Sequence, residues 1–248
     1  MAKIILSKIS SVAPDNFDKE PTKELTKKYI GQLSELQNLL FAQSKFSLLV
    51  ILQGMDASGK DGVISEVFSG VNPMGCRVQA FKKPTPEEMD HDFLWRIHRH
   101  MPEKGMIQIL NRSHYEDVVI QRVHEWVDMA TIKKRYQHIN AFENLVKENN
   151  TVILKFYLHV SQKEQKERLE ERLSNIRKMW KYNANDLEET KRWDEYMTAY
   201  EDAFNSCGPD NSWFIVPSDK NWYKEYLIAK SIVETLLKLE MQYPRINT

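Results

Sequence analysis

Cysteine is scarce in this sequence. Cys76 and Cys207 are too few for a disulfide framework, and neither belongs to a C-x-x-C pair of the kind that binds structural zinc. The seven histidines include no H-E-x-x-H pair, so they do not suggest a metal site either. This cysteine usage is typical of the reducing cytoplasm, and we expect a soluble cytoplasmic protein.

Long apolar runs are also missing. The N-terminal segment has three consecutive apolar residues, at positions 4–6, before the next charge, which is too short for the apolar region of a signal peptide. No later run approaches the roughly 18 residues that a membrane-spanning helix needs. We therefore expect neither a leader nor a membrane anchor.

The chain has no excess charge of either sign. It contains 35 Lys and Arg against 35 Asp and Glu, so its formal net charge is zero. Proteins that coat nucleic acid or anionic membrane through bulk electrostatics are usually strongly basic. The balance argues against both partners but leaves room for a local basic site.

Five short runs rich in Ile, Val, Leu and Phe predict strands. Runs of this length that are nearly all apolar suit strands buried on both faces of a parallel sheet. They cover residues 47–53, 77–81, 105–111, 152–160 and 213–217.

The stretches between these runs have helical spacing. Residues 22–44 place leucines and a tyrosine three and four positions apart, and residues 161–177 begin with Ser161-x-x-Glu164, a capping box. Helices that alternate with buried strands predict an α/β fold with a parallel five-stranded sheet flanked by helices.

No internal repeat or linker divides the 248 residues, so we predict one domain over residues 1–248. Two prolines in residues 1–21 indicate an extension ahead of the first helix. The segment from about 171 to 190 is the least tied to a predicted strand, and we expect it to form a mobile helical lid.

Glycine is scarce too, yet three of the eight glycines lie within residues 54–62, directly after the first predicted strand. The segment Gly-Met-Asp-Ala-Ser-Gly-Lys-Asp-Gly matches the phosphate-loop pattern G-x-x-x-x-G-K, with a strand before it and a helix after it. Backbone N–H groups and the positive end of the helix dipole would converge on a phosphate there. The residues predicted to bind phosphate in this loop are Gly54, Met55, Ala57, Ser58, Gly59 and Lys60.

The loop departs from the usual pattern at position 61. Asp61 replaces the Ser or Thr that holds Mg²⁺, and Asp56 adds a second carboxylate beside a site for an anion. Carboxylate oxygens suit Mg²⁺, which predicts metal-bridged phosphoryl transfer. The alternative is that both are ordinary turn and helix-start residues.

A second polar cluster follows the third predicted strand, at residues 111–118. Ligands of open α/β sheets bind outside the carboxyl ends of the strands, so this cluster should face the phosphate loop. Arg112 and Arg122 could then contact phosphate, and Asp117 could bind magnesium. An acidic helix N-terminus with Arg112 in a surface ion pair is the alternative.

The predicted lid is basic. Arg168 and Arg172 lie four residues apart, on one helical face, and three more cations follow. Mobile cations that close over a transferring phosphoryl group neutralise its charge. A solvated basic face remains the alternative. The three that follow are Arg177, Lys178 and Lys181.

Several of these segments together resemble polyphosphate kinases of the second family. The match covers nearly the whole chain from about residue 22. It rests on the phosphate loop, on Ile-Leu-Asn-Arg-Ser-His-Tyr-Glu-Asp-Val, on the lid residues Trp-Lys and Asp-Leu, and on two tryptophan segments near residues 193 and 213. The resemblance implies a three-layer P-loop kinase fold like that of thymidylate kinase. It also implies phosphoryl transfer between inorganic polyphosphate and a nucleotide, with Mg²⁺ as cofactor and Mn²⁺ as an alternative.

The same resemblance implies roles for individual residues. Lys60 would contact the phosphoryl group in flight, Asp56 and Asp61 would manage the metal, and Arg112 and Arg172 would stabilise transition-state charge. The lid motif includes an aspartate, at position 186, to which the resemblance gives no firm role.

This chain differs from many members of the family at Asn111, where they have Asp. That loss makes Asp117 the expected metal partner. The Glu-Asp pair at positions 116 and 117 resembles the subgroup that accepts nucleoside monophosphates as well as diphosphates.

These observations predict a polyphosphate-dependent nucleotide kinase that converts AMP to ADP and ADP to ATP, reversibly. The expected partners are polyphosphate, adenine nucleotides with guanine nucleotides as an alternative, and further copies of this chain. An ATP-dependent nucleotide or nucleoside kinase shares the loop, and a P-loop switch protein is a third possibility, although no N-K-x-D segment supports guanine selectivity. Candidates to track the polymer outside the loop are Lys27, Lys28, Lys82 and Lys83.

Overall fold

A parallel five-stranded sheet lies at the centre of the computed structural model, which describes residues 3–208 and 213–245. Its strand order is β2-β3-β1-β4-β5 and all pairs are parallel. The sheet predicted from the apolar runs is confirmed. The strands are β1 (Ser47–Gln53), β2 (Cys76–Ala80), β3 (Ile107–Asn111), β4 (Thr151–His159) and β5 (Trp213–Pro217).

Burial explains why the strands could be recognised. β1 lies in the middle of the sheet and every one of its residues is buried, so no polar alternation is needed. The third strand begins at Ile107 rather than at residue 105. Gly105 has φ 88° and its N–H donates to Phe46 O, which places it in the turn before the strand.

Helices connect the strands. They are α1 (Lys19–Gln43), α2 (Lys60–Val67), α3 (Pro86–Met89), α4 (Trp95–His98), α5 (Glu116–Val123), α6 (Met129–Glu148), α7 (Gln162–Ser174), α8 (Ala184–Thr190), α9 (Trp193–Ser206) and α10 (Asn221–Leu237). Short 3-10 turns occupy Leu6–Lys8, Pro73–Gly75 and Met179–Lys181.

The helices form a layer on each face of the sheet. One layer consists of α1, α2 and α10, whose apolar residues pack with Leu48, Val50 and Leu52 of β1. The other consists of α5, α6 and α9, which pack with Leu49 and Ile51 from the opposite face of the same strand. This arrangement is the three-layer α/β fold that the resemblance implies.

The N-terminal extension packs against the domain. Leu6 is 1% exposed and belongs to the core on the α9 side of the sheet. Its N–H donates to Glu201 Oε1 at 2.7 Å, and the N–H of Ile4 donates to Asn205 Oδ1 at 2.8 Å. The first helix then begins at Lys19, three residues before its predicted start.

The capping box predicted at the start of α7 is only half formed. Ser161 Oγ accepts from the N–H of Glu164 at 3.1 Å, as predicted. The reciprocal bond is absent because the N–H of Ser161 donates to Asp219 Oδ1, while the carboxylate of Glu164 pairs with Arg168. α7 ends at Ser174, earlier than residue 177, because the backbone of Asn175 is extended.

Within residues 3–208 and 213–245, we find no helix with the length and apolar character needed to cross a bilayer.

Candidate active site

The phosphate loop connects β1 to α2 at the carboxyl end of the sheet. Gly59 precedes the helix with φ 96°, and Ala57 has φ 61°, so the loop turns twice through the left-handed region. A Cβ at Gly59 would lie 2.1 Å from Lys224 Nζ. Glycine is therefore required there both by conformation and by space.

Lys60 lies along this loop. Its Nζ donates to Gly54 O at 2.7 Å and to Met55 O at 3.2 Å, and the residue is 8% exposed. Burial and the charge of Arg112 lower the pKa of Lys60 to about 8, although nearby carboxylates oppose the shift. The loop thus holds a buried ammonium group among its own carbonyls.

Asp56 forms an ion pair with Arg112, the residue that follows β3. Burial opposes ionisation of Asp56, but Arg112 and Lys60 outweigh it, and the pKa of Asp56 lies below its usual value. Arg112 has φ 63° and also lies 3.6 Å from Glu116 Oε2. The two loops at the ends of β1 and β3 are therefore joined through charge, as the sequence analysis expected.

Asp61 is bound from two directions. Asn111 Nδ2 donates to Asp61 Oδ1 at 2.9 Å, and Lys181 of the predicted lid donates to Asp61 Oδ2. Burial opposes ionisation of Asp61, but the bonds from Lys181 and Asn111 keep its pKa below the usual value. The amide at position 111 thus orients a carboxylate of the phosphate loop.

The lid segment supplies a second ion pair near the loop. Arg172 of α7 lies 2.7 Å from Asp186 Oδ2 of α8, and its charge helps to lower the pKa of Asp56. Burial raises the pKa of Asp186, and the charge of Asp56 adds to that effect. Arg172 and Lys181 therefore lie on the loop side of the lid.

Asp117 lies in a different environment from Asp56 and Asp61. Its carboxylate accepts from Gln121 Nε2 at 2.6 Å and lies 3.3 Å from Arg96, and the residue is buried. Burial raises its pKa despite the charges of Arg96 and Arg135. The role of Asp117 as a metal partner stays a prediction.

Glu116, the neighbour of Asp117, lies beside Arg112, a contact that the sequence does not predict. Burial raises its pKa in spite of the opposing charges of Arg112 and Lys60. Its position four residues after Arg112, at the start of a helix, is the signal that could have identified it.

Two predicted phosphate-binding cations lie apart from the loop. Arg122 lies 2.7 Å from Asp202 Oδ2, which ties α5 to α9. Arg177 is exposed on the segment after α7, where Lys178 pairs with Glu171. The structure therefore does not bring these two predicted residues to the phosphate loop, because the first is used in packing and the second faces solvent.

Arg168 also differs from its predicted role. It was grouped with the mobile lid cations, but its guanidinium bonds the carbonyls of Ala57 and Ser58 at 3.1 Å each. Lys224 of α10, which no sequence motif identified, donates to Ser58 O at 3.1 Å. Both cations thus contact the loop backbone.

The polymer-tracking candidates Lys27, Lys28, Lys82 and Lys83 are all exposed. Lys27 forms an ion pair with Glu24 within α1. Nothing in their contacts links these four residues to the phosphate loop.

The carboxylates beside the loop fit the donor set of a substrate-bridged Mg²⁺. The described residues contain no group of three or more His, Cys, Asp or Glu that could hold a metal by itself. Mg²⁺ usually takes one or two protein carboxylates together with substrate phosphates and water. Asp61, whose side chain is 60% exposed, and Asp56 meet that requirement.

Comparison with known proteins agrees with this geometry. The family model described as "Polyphosphate kinase 2 (PPK2)" matches residues 16–244. An AMP/ADP-polyphosphate phosphotransferase of Meiothermus ruber is 48% identical over 218 residues, which cover 88% of this chain and 82% of that protein. An ADP-polyphosphate phosphotransferase of Rhodopseudomonas palustris is 42% identical over 248 residues, covering 95% and 86% respectively.

A solved structure supports the same relationship. The crystal structure of polyphosphate kinase 2 from Arthrobacter aurescens TC1 superposes with a TM-score of 0.95 at 39% sequence identity. The superposition covers 98% of this chain and 88% of that one. The fold is therefore shared along nearly the whole chain.

Proposed function

Since this chain belongs to the polyphosphate kinase 2 family, we propose that it transfers phosphoryl groups reversibly from inorganic polyphosphate to AMP and to ADP. The chain is a phosphotransferase of the polyphosphate kinase type, and the choice of nucleotide is the proposed part. The relative from Meiothermus ruber, whose name includes both AMP and ADP, supports both acceptors.

The convergence of four cations on one phosphate loop carries this proposal. Lys60 lies inside the loop, while Arg112 reaches it from the end of β3 through Asp56. Lys181 reaches it from the lid through Asp61, and the charge of Arg172 acts on the same loop. A polyanion bound here would meet positive charge from three parts of the fold.

Each of these cations is close to a carboxylate in the structure. The carboxylates nearest to them belong to Asp56, Asp61, Glu116 and Asp186. Because the cluster is nearly balanced, a phosphate chain alone would meet repulsion as well as attraction. We propose that Mg²⁺ accompanies the substrate, held by Asp56 and Asp61, with Mn²⁺ as a substitute and Asp117 as a further candidate ligand.

In the proposed reaction the protein acts by positioning and by charge. The loop N–H groups and Lys60 would hold the transferred phosphoryl group, while Arg112 and Arg172 would stabilise the charge on its equatorial oxygens. Mg²⁺ held by Asp56 and Asp61 would supply positive charge that offsets part of the phosphate charge. The buried environment of Lys60 strengthens each of these interactions relative to water.

Two further expectations join the proposal. We propose a cytoplasmic location, which the two unpaired cysteines support. We also propose that the chain forms a homo-oligomer, because exposed Phe41, Met74 and Val78 lie near the unpaired edge of β2. Light scattering of the purified chain would test the second of these.

Product formation without any other phosphoryl donor tests the function. Purified protein is mixed with ADP, Mg²⁺ and long-chain polyphosphate, and nucleotides are separated by chromatography. ATP should accumulate, and reactions with AMP should yield ADP. No product with polyphosphate, together with ADP formation from AMP and ATP, would instead identify an ATP-dependent nucleotide kinase. GDP in place of ADP tests whether guanine is accepted.

A further inference from the structure

Two cations, Arg168 of α7 and Lys224 of α10, lie behind the phosphate loop and donate to its backbone carbonyls. Arg168 also bonds the segment after β5 and pairs with Glu164 of its own helix. We propose that both cations are positioning residues, which hold the loop in its anion-binding conformation before any phosphate arrives. The proposal rests on the proposed function only in taking the anion to be a phosphate chain.

Arg168 joins two separate segments of backbone. Its Nη1 donates to Ala57 O and Ser58 O at 3.1 Å each, and its Nη2 donates to Ser218 O at 2.8 Å and Asp219 O at 3.0 Å. The planar guanidinium suits such forked contacts, which an ammonium cannot reproduce. The phosphate loop is thereby fixed to the turn between β5 and α10.

Lys224 occupies the space next to Gly59. It is 1% exposed, donates to Ser58 O at 3.1 Å and to Asn221 Oδ1 at 2.8 Å, and its Nζ would lie 2.1 Å from a Cβ at Gly59. A buried ammonium group needs such partners because its desolvation is costly. The carbonyl of Ser58 is thus engaged by two cations at once.

These contacts matter because the C=O and N–H groups of one trans peptide unit point in opposite directions. When the carbonyls of residues 57 and 58 point to Arg168 and Lys224, the amide groups that follow each of them, on Ser58 and Gly59, point away from those cations. Of these, the N–H of Ser58 bonds Met55 O within the loop. The N–H of Gly59 is left oriented toward the side on which a phosphate would bind.

The charge of Lys224 is itself sensitive to its surroundings. Burial and the charge of Arg168 lower its pKa to about 7, and Lys60 adds to that effect, whereas Glu225 and Glu164 oppose it. The pKa of Glu225 lies in the same range, about 7, because burial raises it. The positive charge behind the loop should therefore decrease as pH rises through neutrality.

Binding of inorganic tripolyphosphate tests the proposal without requiring turnover. The variants are Lys224→Met, which removes charge and donor, and Lys224→Gln, which removes charge but keeps a donor. Lys230→Met, on an exposed face of the same helix, is the matched control. Calorimetry at pH 6.5 gives the dissociation constant, and near-UV circular dichroism and melting report the fold.

We expect Lys224→Met to weaken tripolyphosphate binding about tenfold, Lys224→Gln about threefold and Lys230→Met less than twofold. Between pH 6.5 and 8.5 the ratio of the variant to the wild-type dissociation constant should fall toward one. Taking a ratio removes the titration of the ligand itself. Arg168→Lys should also weaken binding, because it loses the forked contacts.

Folded Lys224 variants that bind tripolyphosphate like wild type would overturn the proposal, as would a pH-independent ratio. If neither Lys224 variant folds, its role is structural and the proposal fails. A wild type that binds tripolyphosphate with the expected variant differences but transfers no phosphoryl group would refute the proposed function alone. Absence of wild-type binding would refute both.

Discussion

The phosphate loop and the lid carry similar charges but are held in different ways. In the loop, Lys60 and Ser58 are buried, and Arg168 and Lys224 bond the backbone from behind. In the lid, Trp180 is 77% exposed and Lys181 meets the loop through a single ion pair to Asp61. One region is fixed by the core, and the other by ion pairs whose side chains stay partly exposed.

This difference indicates a division of work. Buried, multiply bonded groups cost free energy to move, so the loop should keep its shape whether or not substrate is present. Partly exposed ion pairs contribute little to stability and can be exchanged for a substrate phosphate. The loop is therefore suited to hold a phosphoryl group, whereas closure of residues 171–190 over it stays a prediction.

The largest effect is expected at Lys60. Lys60→Ala removes the buried ammonium group from the loop, and we expect kcat to fall by about 10³-fold or more. The fold should survive, because the neighbouring strand and helix keep their core contacts. Steady-state ATP formation measures the loss, and near-normal turnover would rule out the role given to this loop.

Glu143 stabilises the loop that follows β3, and substitution of Glu143 tests this contribution. This buried carboxylate binds Lys155 Nζ at 2.7 Å and accepts from Tyr115 Oη at 2.8 Å, just before the helix that carries Glu116. Glu143→Ala leaves Lys155 unpaired in the core and should cost about 3 kcal/mol of unfolding free energy. Denaturant unfolding checks this, with exposed Glu148→Ala as the control.

The carboxylate of Glu143 should also make the free energy of unfolding depend on pH. Burial opposes its ionisation, but the bond from His114 and the charge of Lys155 lower the pKa of Glu143 to about 2. Its stabilisation is complete above the unfolded value of about 4.5 and is lost as pH falls through about 2. Over this acid range, unfolding free energy should fall less steeply in Glu143→Gln, and equal slopes would contradict the assignment.

A smaller effect is expected for Arg172 in the lid. Arg172→Ala should lower kcat by about 10²-fold, because it removes charge from the transition state, and should leave unfolding free energy nearly unchanged. Exposed Lys163→Ala, on the same helix, is the matched control. A large loss of stability without a loss of kcat would place Arg172 with the fixed region instead.

The smallest effect is expected for the Lys181 ion pair. Lys181→Met should raise KM for polyphosphate several-fold and change kcat little, since it removes one partly exposed cation from the closing segment. The difference from wild type should shrink at high salt. Titration of polyphosphate at two ionic strengths measures both, and a kcat-dominated loss would show that the lid is as rigidly engaged as the loop.

Much of the fold was predictable because burial of an element produces a local pattern in its sequence. All five strands were predicted within two residues, since strands buried on both faces are almost continuously apolar. The phosphate loop was recognisable for a similar reason, because its glycines and Lys60 are neighbours in sequence. Only Gly105, whose positive φ belongs to a turn, shortened a predicted strand.

The contacts that the sequence does not predict depend on distant partners. Lys224 bonds Ser58 across 166 positions, and Arg168 bonds it across 110, so no local spacing could reveal either contact. Asn111 lacks the carboxylate that many family members have at this position, but its amide donates to Asp61, a contact that the local sequence does not indicate. The ion pair between Arg122 and Asp202 of α9 is likewise remote in sequence, and phosphate binding by Arg122 stays a prediction.

We expect the phosphoryl group to pass directly from the polymer to the nucleotide. Radiolabelled polyphosphate, AMP and Mg²⁺ are incubated with the protein in excess unlabelled inorganic phosphate, and the label is followed in each product. We expect label in ADP and then in ATP at undiluted specific activity, and none of this with Lys60→Ala. Label released only as inorganic phosphate would contradict direct transfer to the nucleotide.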